Sequence, residues 1–371
     1  MKKLSILLGS LLIVGAVAQA KEVVAAPVVE EVQEVVVQPV ELVEAPEFKP
    51  SGYVDLQYKY YGKTENAGNS KGDWNAGSNK TSRLQLLGSI KMTENQTFQY
   101  RVRSYKSLNS QTGESNPGTQ TRLRYYYNHN NLGDSNVTLA SRLQYFSFAD
   151  DSQLVEYKAL FNFTKYMPEI FSSVEVSPKY GYEWTSGNDS DYENYLGVDI
   201  TTFMELPYGF SFEFNTYLTQ RFFGQEQSFG GKYVTGATAA EQKAGGAKFE
   251  DKNFTVDVEA YIYNTQNLYK VGNLVVDFNF EGGYDPATYS QHKKFYTPGL
   301  GNETALVNKT DRFGYSLYML PNISADYKVT ENLKVYAAIG AEYRNWDYTA
   351  SKSASTWRWQ PQAWAGMKAT F

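Results

Sequence analysis

The sequence predicts an all-β chain: an antiparallel transmembrane β-barrel of about 14 strands, with short periplasmic turns and longer extracellular loops. Three observations predict it. From residue 51 onward, apolar and polar residues alternate with period 2 in segments of about ten residues; that matches a tilted bilayer crossing and exceeds the roughly five or six residues of an ordinary strand. The chain holds 31 Tyr, 21 Phe and 6 Trp, an aromatic content of 16% suited to paired interfacial girdles. Its mean hydropathy of −0.49 excludes a bundle of spanning helices but not a barrel, whose wet inner face offsets its greasy outer one.

The leader comes first. Lys2 and Lys3 precede an apolar run over 4–17 and an Ala18-Gln19-Ala20 ending, the charged, apolar and small-residue regions of a secretory signal peptide. The apolar run is too short for a spanning anchor, so residues 1–20 are set apart from the fold. Residues 21–50 form a Val/Glu/Pro-rich block in which seven glutamates between 21 and 47 stand against Lys21. No strand-like alternation survives between its prolines, which predicts a periplasmic linker.

The barrel is expected over 51–371. Its first segment, 53–61, puts Val54, Leu56, Tyr58 and Tyr60 on one face and Asp55, Gln57 and Lys59 on the other. The segments 83–92, 98–107 and 120–128 follow, with Leu84, Leu86, Phe98, Tyr100, Val102, Leu123, Tyr125 and Tyr127 sharing the apolar parity. The pattern continues through 137–148, 154–164, 174–185, 194–203, 210–222, 248–263, 273–284, 312–327 and 333–348 to 356–371. Gaps after even-numbered segments are compact and rich in Asn, Gly and Pro, whereas the longest gaps (62–80, 108–119, 223–247 and 285–311) follow odd-numbered ones. An even strand count with both ends on the periplasmic side fits that spacing. Loop 223–247 or loop 285–311 is a candidate to fold inward and narrow a lumen.

In the last segment Phe371, Ala369 and Met367 share one face with Ala365 and Ala363, while Thr370, Lys368 and Gly366 take the other. Such a terminal strand ending on an aromatic resembles the signal read by the barrel-assembly machinery. Several stretches resemble the FomA-type major outer-membrane porins of fusobacteria: Met1 to Leu4, Gly52-Tyr53-Val54-Asp55-Leu56-Gln57-Tyr58, Phe280-Glu281-Gly282-Gly283-Tyr284-Asp285 and Val335-Tyr336-Ala337-Ala338. Tyr343-Arg344-Asn345, Trp357-Arg358-Trp359-Gln360-Pro361 and Ala365-Gly366-Met367-Lys368 complete the set. The resemblance implies a voltage-gated, weakly selective homotrimer in the outer membrane of a Gram-negative bacterium, embedded in outer-membrane lipid.

The chemistry the sequence offers is charge. Arg83, Arg101, Arg103, Arg122, Arg124 and Arg142 fall on the polar parity of the second to fifth segments and are expected to form a basic wall. Glu175, Glu183, Asp199, Glu213, Asp257, Glu259, Asp277 and Glu281 fall on that parity in the seventh to eleventh, on the opposite side of a closed sheet. Opposed charges across a narrow aqueous channel orient polar solutes and disfavour apolar ones, which points to a general diffusion porin for ions and small hydrophilic solutes. The alternative is an adhesin whose outer loops bind host or bacterial surface ligands.

Other classes find no support. With no Cys, and His129 and His292 far from any partner ligand in the sequence, no transition-metal set is visible. No cofactor fingerprint and no nucleophile–base pair at a lipid rim is legible, so no enzyme is expected, and the net charge of −5 gives no nucleic-acid footprint. Mass spectrometry of the secreted chain is expected to find Lys21 at its N-terminus, and a chain that retains Met1 would refute the leader.

Overall fold

The computed structural model describes residues 48–65, 81–107, 118–149, 152–187, 191–230, 239–244, 246–292, 312–345 and 357–371. The expected signal peptide and nearly all of the expected linker, 1–47, and most of the long loops lie outside the described residues.

Fourteen antiparallel strands close into one barrel. They are β1 (Ser51–Tyr61), β2 (Thr81–Lys91), β3 (Gln96–Ser107), β4 (Thr119–Asn131), β5 (Thr138–Ser147), β6 (Ser152–Asn162) and β7 (Phe171–Thr185). The second half is β8 (Tyr192–Glu205), β9 (Phe210–Phe229), β10 (Lys248–Val271), β11 (Leu274–Ser290), β12 (Phe313–Lys328), β13 (Leu333–Asn345) and β14 (Trp357–Thr370). Each strand pairs with its sequence neighbours, and β14 returns to β1 in the register Val54↔Ala369 and Leu56↔Met367. Gly52 N–H donates to Phe371 O at 2.9 Å and Phe371 N–H to Gly52 O at 3.0 Å, which seals the seam.

Closure matters because an open edge would present a row of unpaired amides, intolerable in hydrocarbon. It also makes the alternation a division between outside and inside. The burial order is inverted relative to a soluble protein: Ile339 is 67% exposed, Leu196 54% and Leu84 50%, whereas Asn253 is 0% exposed and Asp199 1%. A large apolar side chain removed from water gains about 1.5–3 kcal/mol, so this outer surface requires an apolar solvent.

The aromatics form two belts on that outer surface. Toward the loop end, Tyr182 stacks on Trp184 with centroids 5.5 Å apart, and Tyr343 lies 5.0 Å from Trp357 and 4.7 Å from Trp359. Toward the short-turn end, Phe98 lies 6.4 Å from Tyr100 and Phe212 6.5 Å from Phe214. Leu, Ile and Met fill the band between, in the arrangement expected of a bilayer crossing.

The short turns use local chemistry. Thr93 Oγ1 accepts from the backbone N–H of Asn95 and Gln96 at 3.3 and 3.1 Å, and β10 meets β11 across Gly272, whose φ of +52° suits glycine.

Three strands overrun the sequence-based boundaries. β9 continues to Phe229 where alternation predicts an end at 222, β10 reaches Val271 instead of 263, and β11 reaches Ser290 instead of 284. A bulge explains β11. Its pairing slips between Tyr284 and Ala287, and an inserted residue breaks period 2 without ending the strand. In β9, Gln225, Glu226 and Gln227, and in β10, Asn264, Thr265, Gln266 and Asn267, put polar residues on both faces. The candidate loops 223–247 and 285–311 are therefore partly strand, and 231–238 and 293–311 lie outside the described residues.

The belts make a spectroscopic prediction. In single-tryptophan variants folded into vesicles, brominated lipid is expected to quench Trp184 and Trp357 and to spare Trp364, which shares the inner face with Lys59. Equal quenching of all three would contradict the assignment of faces.

Candidate functional site: the charged interior

All six arginines lie on the inner face, and the registers arrange them as a staircase. Arg83 stands opposite Tyr105, and Arg103 opposite Gln85, one same-face position closer to the short turns. One position lower, Arg101 faces Arg122 directly, and Arg124 comes next, opposite Gln99. Arg142 completes the descent opposite Tyr126, level with Lys158 and Lys179 on the next strands. Lys59, opposite Arg83, starts it; its ammonium lies 4.8 Å from the Trp364 ring centroid and 5.0 Å from that of Tyr61.

The staircase divides into an open and a neutralised part. Among the described residues no carboxylate pairs with Arg83, Arg101, Arg103, Arg122 or Arg124. Three of these arginines donate to glutamine amides: Arg83 Nη2 to Gln57 Oε1 at 3.0 Å, and Arg103 Nε to Gln85 Oε1 and Arg124 Nε to Gln144 Oε1, each at 2.6 Å. Arg103 and Arg124 also hydrogen-bond the neutral Tyr105 and Tyr126. The Arg101 guanidinium lies 6.0 Å from the Phe146 ring.

Arg142 differs. It is buried and its Nη2 pairs with Glu156 Oε1 at 2.5 Å, so it adds no free charge to the basic wall. Glu156 also accepts from Tyr195 OH at 2.8 Å. Next to it Asp199 takes Lys158 on one oxygen and Lys179 on the other, the latter at 2.6 Å. On the same sector Arg221 pairs with Glu193. Gly181 makes room for this network, because a Cβ there would stand 2.1 Å from the Tyr195 ring.

The predicted acidic residues also face inward, and on β9 to β11, across the barrel, Glu213, Glu259 and Glu281 are held by tyrosine. Tyr217 OH donates to Glu259 and Tyr263 OH to Glu213, each at 2.8 Å, Tyr261 OH donates to Asp285 at 2.9 Å, and Tyr318 OH to Glu281. Asp257 accepts from Thr288 at 2.5 Å. Glu175 bonds Ser177 and Asp277 bonds Asn267, both at 2.8 Å near the short turns, and Glu183 stands opposite Glu193 near the loop end. The cation at this sector's edge is Arg344, joined to Glu342, Ser316 and Asp285.

With fourteen strands in sequence order round the ring, β3 lies seven strands from β10. The unpaired arginines therefore face the tyrosine-capped carboxylates. Sequence reasoning missed Glu156, Lys158, Lys179, Glu193, Arg221, Asp285, Glu342 and Arg344. It also missed the tyrosines, although Tyr195, Tyr217, Tyr261, Tyr263 and Tyr318 carry the inward parity.

The histidines do more than the sequence indicates. His129 Nε2 lies 2.9 Å from Ser141 Oγ, which lies 2.9 Å from Tyr157 OH, on the outer face near the short turns. This is a Ser–His contact on a lipid-side rim, yet among the described residues no carboxylate orients His129. The contact stitches β4, β5 and β6. His292 Nδ1 lies 3.7 Å from Glu250, and no group of three His, Cys, Asp or Glu positioned for a metal occurs among the described residues.

No family model and no curated protein matches the chain. Among solved structures it is similar to a bacterial polysaccharide outer membrane secretin at 10% identity, covering 86% of this chain and 98% of that one with a TM-score of 0.39. The outer membrane channel DcaP of Acinetobacter baumannii matches at 11% identity over 87% and 96% with a TM-score of 0.36. The translocator domain of the autotransporter NalP from Neisseria meningitidis matches at 11% identity over 89% and 91% with a TM-score of 0.32.

The Asp199 clamp yields a stability prediction. Asp199→Asn strands the Lys179 ammonium and leaves Lys158 only Glu156 at 3.7 Å; it is expected to cost about 3–5 kcal/mol, read as a lower urea midpoint for barrel unfolding in detergent. Adding Lys179→Met is expected to recover part of that loss, because the stranded cation is gone.

Proposed function

We propose that the chain is an outer-membrane porin of a Gram-negative bacterium, passing ions and small hydrophilic solutes through a water-filled lumen. The observation that carries this reading is a closed barrel with an apolar, aromatic-belted outside and an inside that sets unpaired arginines opposite carboxylates. Lipid fits the outer surface, and water fits charges left without counter-charges. Fourteen strands fall between the side-chain-filled eight-stranded barrels and the channel-forming sixteen-stranded ones.

Sidedness follows the same reading. The end with short turns and both barrel termini faces the periplasm, and the other end faces outward. Phe371, Ala369 and Met367 lie on the lipid face of β14 next to the seam, where the assembly machinery would meet them. The arginines set up a transverse field with the acidic sector, strongest where Arg101 and Arg122 stand side by side.

Planar-bilayer recording tests the reading. The folded protein is expected to produce stepwise ohmic conductance, and a bilayer that stays silent with correctly folded protein would reject it. In a salt gradient, Arg101→Glu with Arg124→Glu is expected to move the permeability ratio severalfold toward cations while channels still form. An unchanged reversal potential would remove the arginines from the conduction path.

A further inference from the structure

The interior treats its cations in two ways. Where Arg142, Lys158, Lys179, Arg221 and Arg344 line the wall, a carboxylate meets each of them. On the staircase the acceptors are neutral, Gln57, Gln85 and Gln144 with Tyr105 and Tyr126. A glutamine oxygen accepts one N–H and fixes the guanidinium plane as a glutamate would, but it leaves the positive charge intact.

The arrangement is electrostatically unfavourable on its own. Arg101 and Arg122 are cross-strand partners on one face, and like charges placed directly opposite destabilise a sheet. Arg83 adds a buried Nε that has no hydrogen-bond partner. A fold that only needed polar lining would relieve this with a single Gln→Glu change at any of the three anchors. Oriented guanidinium groups kept charged and crowded are the features of a surface that takes its counter-charge from a ligand.

We infer that the staircase from Arg83 through Arg103, Arg101, Arg122 and Arg124 is a binding track for linear polyanions, solutes that carry several phosphate or carboxylate groups along one chain. Arg83 and Arg103 are diagonal neighbours across strands, Arg101 and Arg122 stand directly opposite each other, and Arg103 with Arg101 and Arg122 with Arg124 are same-face neighbours on one strand. Successive rungs therefore lie about 5–8 Å apart, within reach of successive anionic groups on an extended solute. A monovalent anion meets one or two rungs, whereas a polyanion meets several, and each later contact is intramolecular and gains from high effective concentration. The tyrosine-capped carboxylates opposite repel the same solute and hold it to the arginine side. The inference rests on the porin reading for the route of entry, but binding to the track does not require conduction.

The test is therefore equilibrium binding first and current second. Detergent-folded protein is titrated with fluorescently labelled oligophosphate, with a labelled oligouronate and with a neutral oligosaccharide of matched length, read by anisotropy at low and high salt. The track predicts binding of one or both polyanions that weakens steeply with salt, and no binding of the neutral chain. The stronger of the two polyanions identifies the source.

Gln85→Glu with Gln144→Glu installs the missing counter-charges at constant side-chain shape. It is expected to weaken polyanion binding by ~10-fold or more, while heat-modifiable gel migration shows the barrel intact. Arg103→Gln with Arg122→Gln is expected to act in the same direction, so the result does not hang on one fold-sensitive pair. Polyanion binding no tighter than neutral binding, or unaffected in both variants, overturns the track. The same solutes added to single channels separate the two claims: tight binding without conductance refutes the porin reading and keeps the track, whereas conductance without polyanion preference does the reverse.

Discussion

The pairing of β1 with β14 is the constraint on which the rest depends. Thirteen strand pairs form between neighbours in the chain, but only the fourteenth, sealed by Gly52 and Phe371, removes the last open edge. Closure gives the sheet an inside, and the period-2 alternation then distributes chemistry without further instruction. Every odd or even choice made for burial on one face becomes a choice about charge on the other.

That is why so much of the fold is legible in the sequence. The strand count, the faces and the inward parity of the arginines follow from alternation alone, and Leu84, Leu86 and Val102 declare their face as plainly as Arg83 and Arg103 declare theirs. Legibility fails where period 2 is interrupted. The bulge between Tyr284 and Ala287 switches the inward positions of β11 from odd to even numbers, so a reading by alternation stops there although the strand continues.

The site was half legible for a different reason. Parity says which residues line the interior, but register says which of them touch. Glu156 is two residues from Lys158 in sequence and meets Arg142 only because β5 and β6 pair as they do. The tyrosines are ambiguous in another way: a Tyr at inward parity looks like a misplaced interfacial aromatic until its hydroxyl is seen on Glu259 or Glu281. The contrast between glutamine and glutamate anchors is invisible in composition and emerges from contacts alone.

The seam has a kinetic side. At the seam β1 pairs with β14, and Asp55 on β1 accepts from Tyr336 on β13, over the intervening β14, at 2.6 Å across 281 positions of chain, whereas every neighbouring strand pair other than β1 with β14 is joined by one turn or loop. Contacts of such separation bear the greatest loop-closure entropy and slow folding most. The hairpins can zip in any order, but the ring is complete only when its two most distant strands find each other. Once they have, no frayed edge remains from which neighbours can peel, and opening requires breaking a whole ladder at once. Closure thus raises the barrier that unfolding must cross.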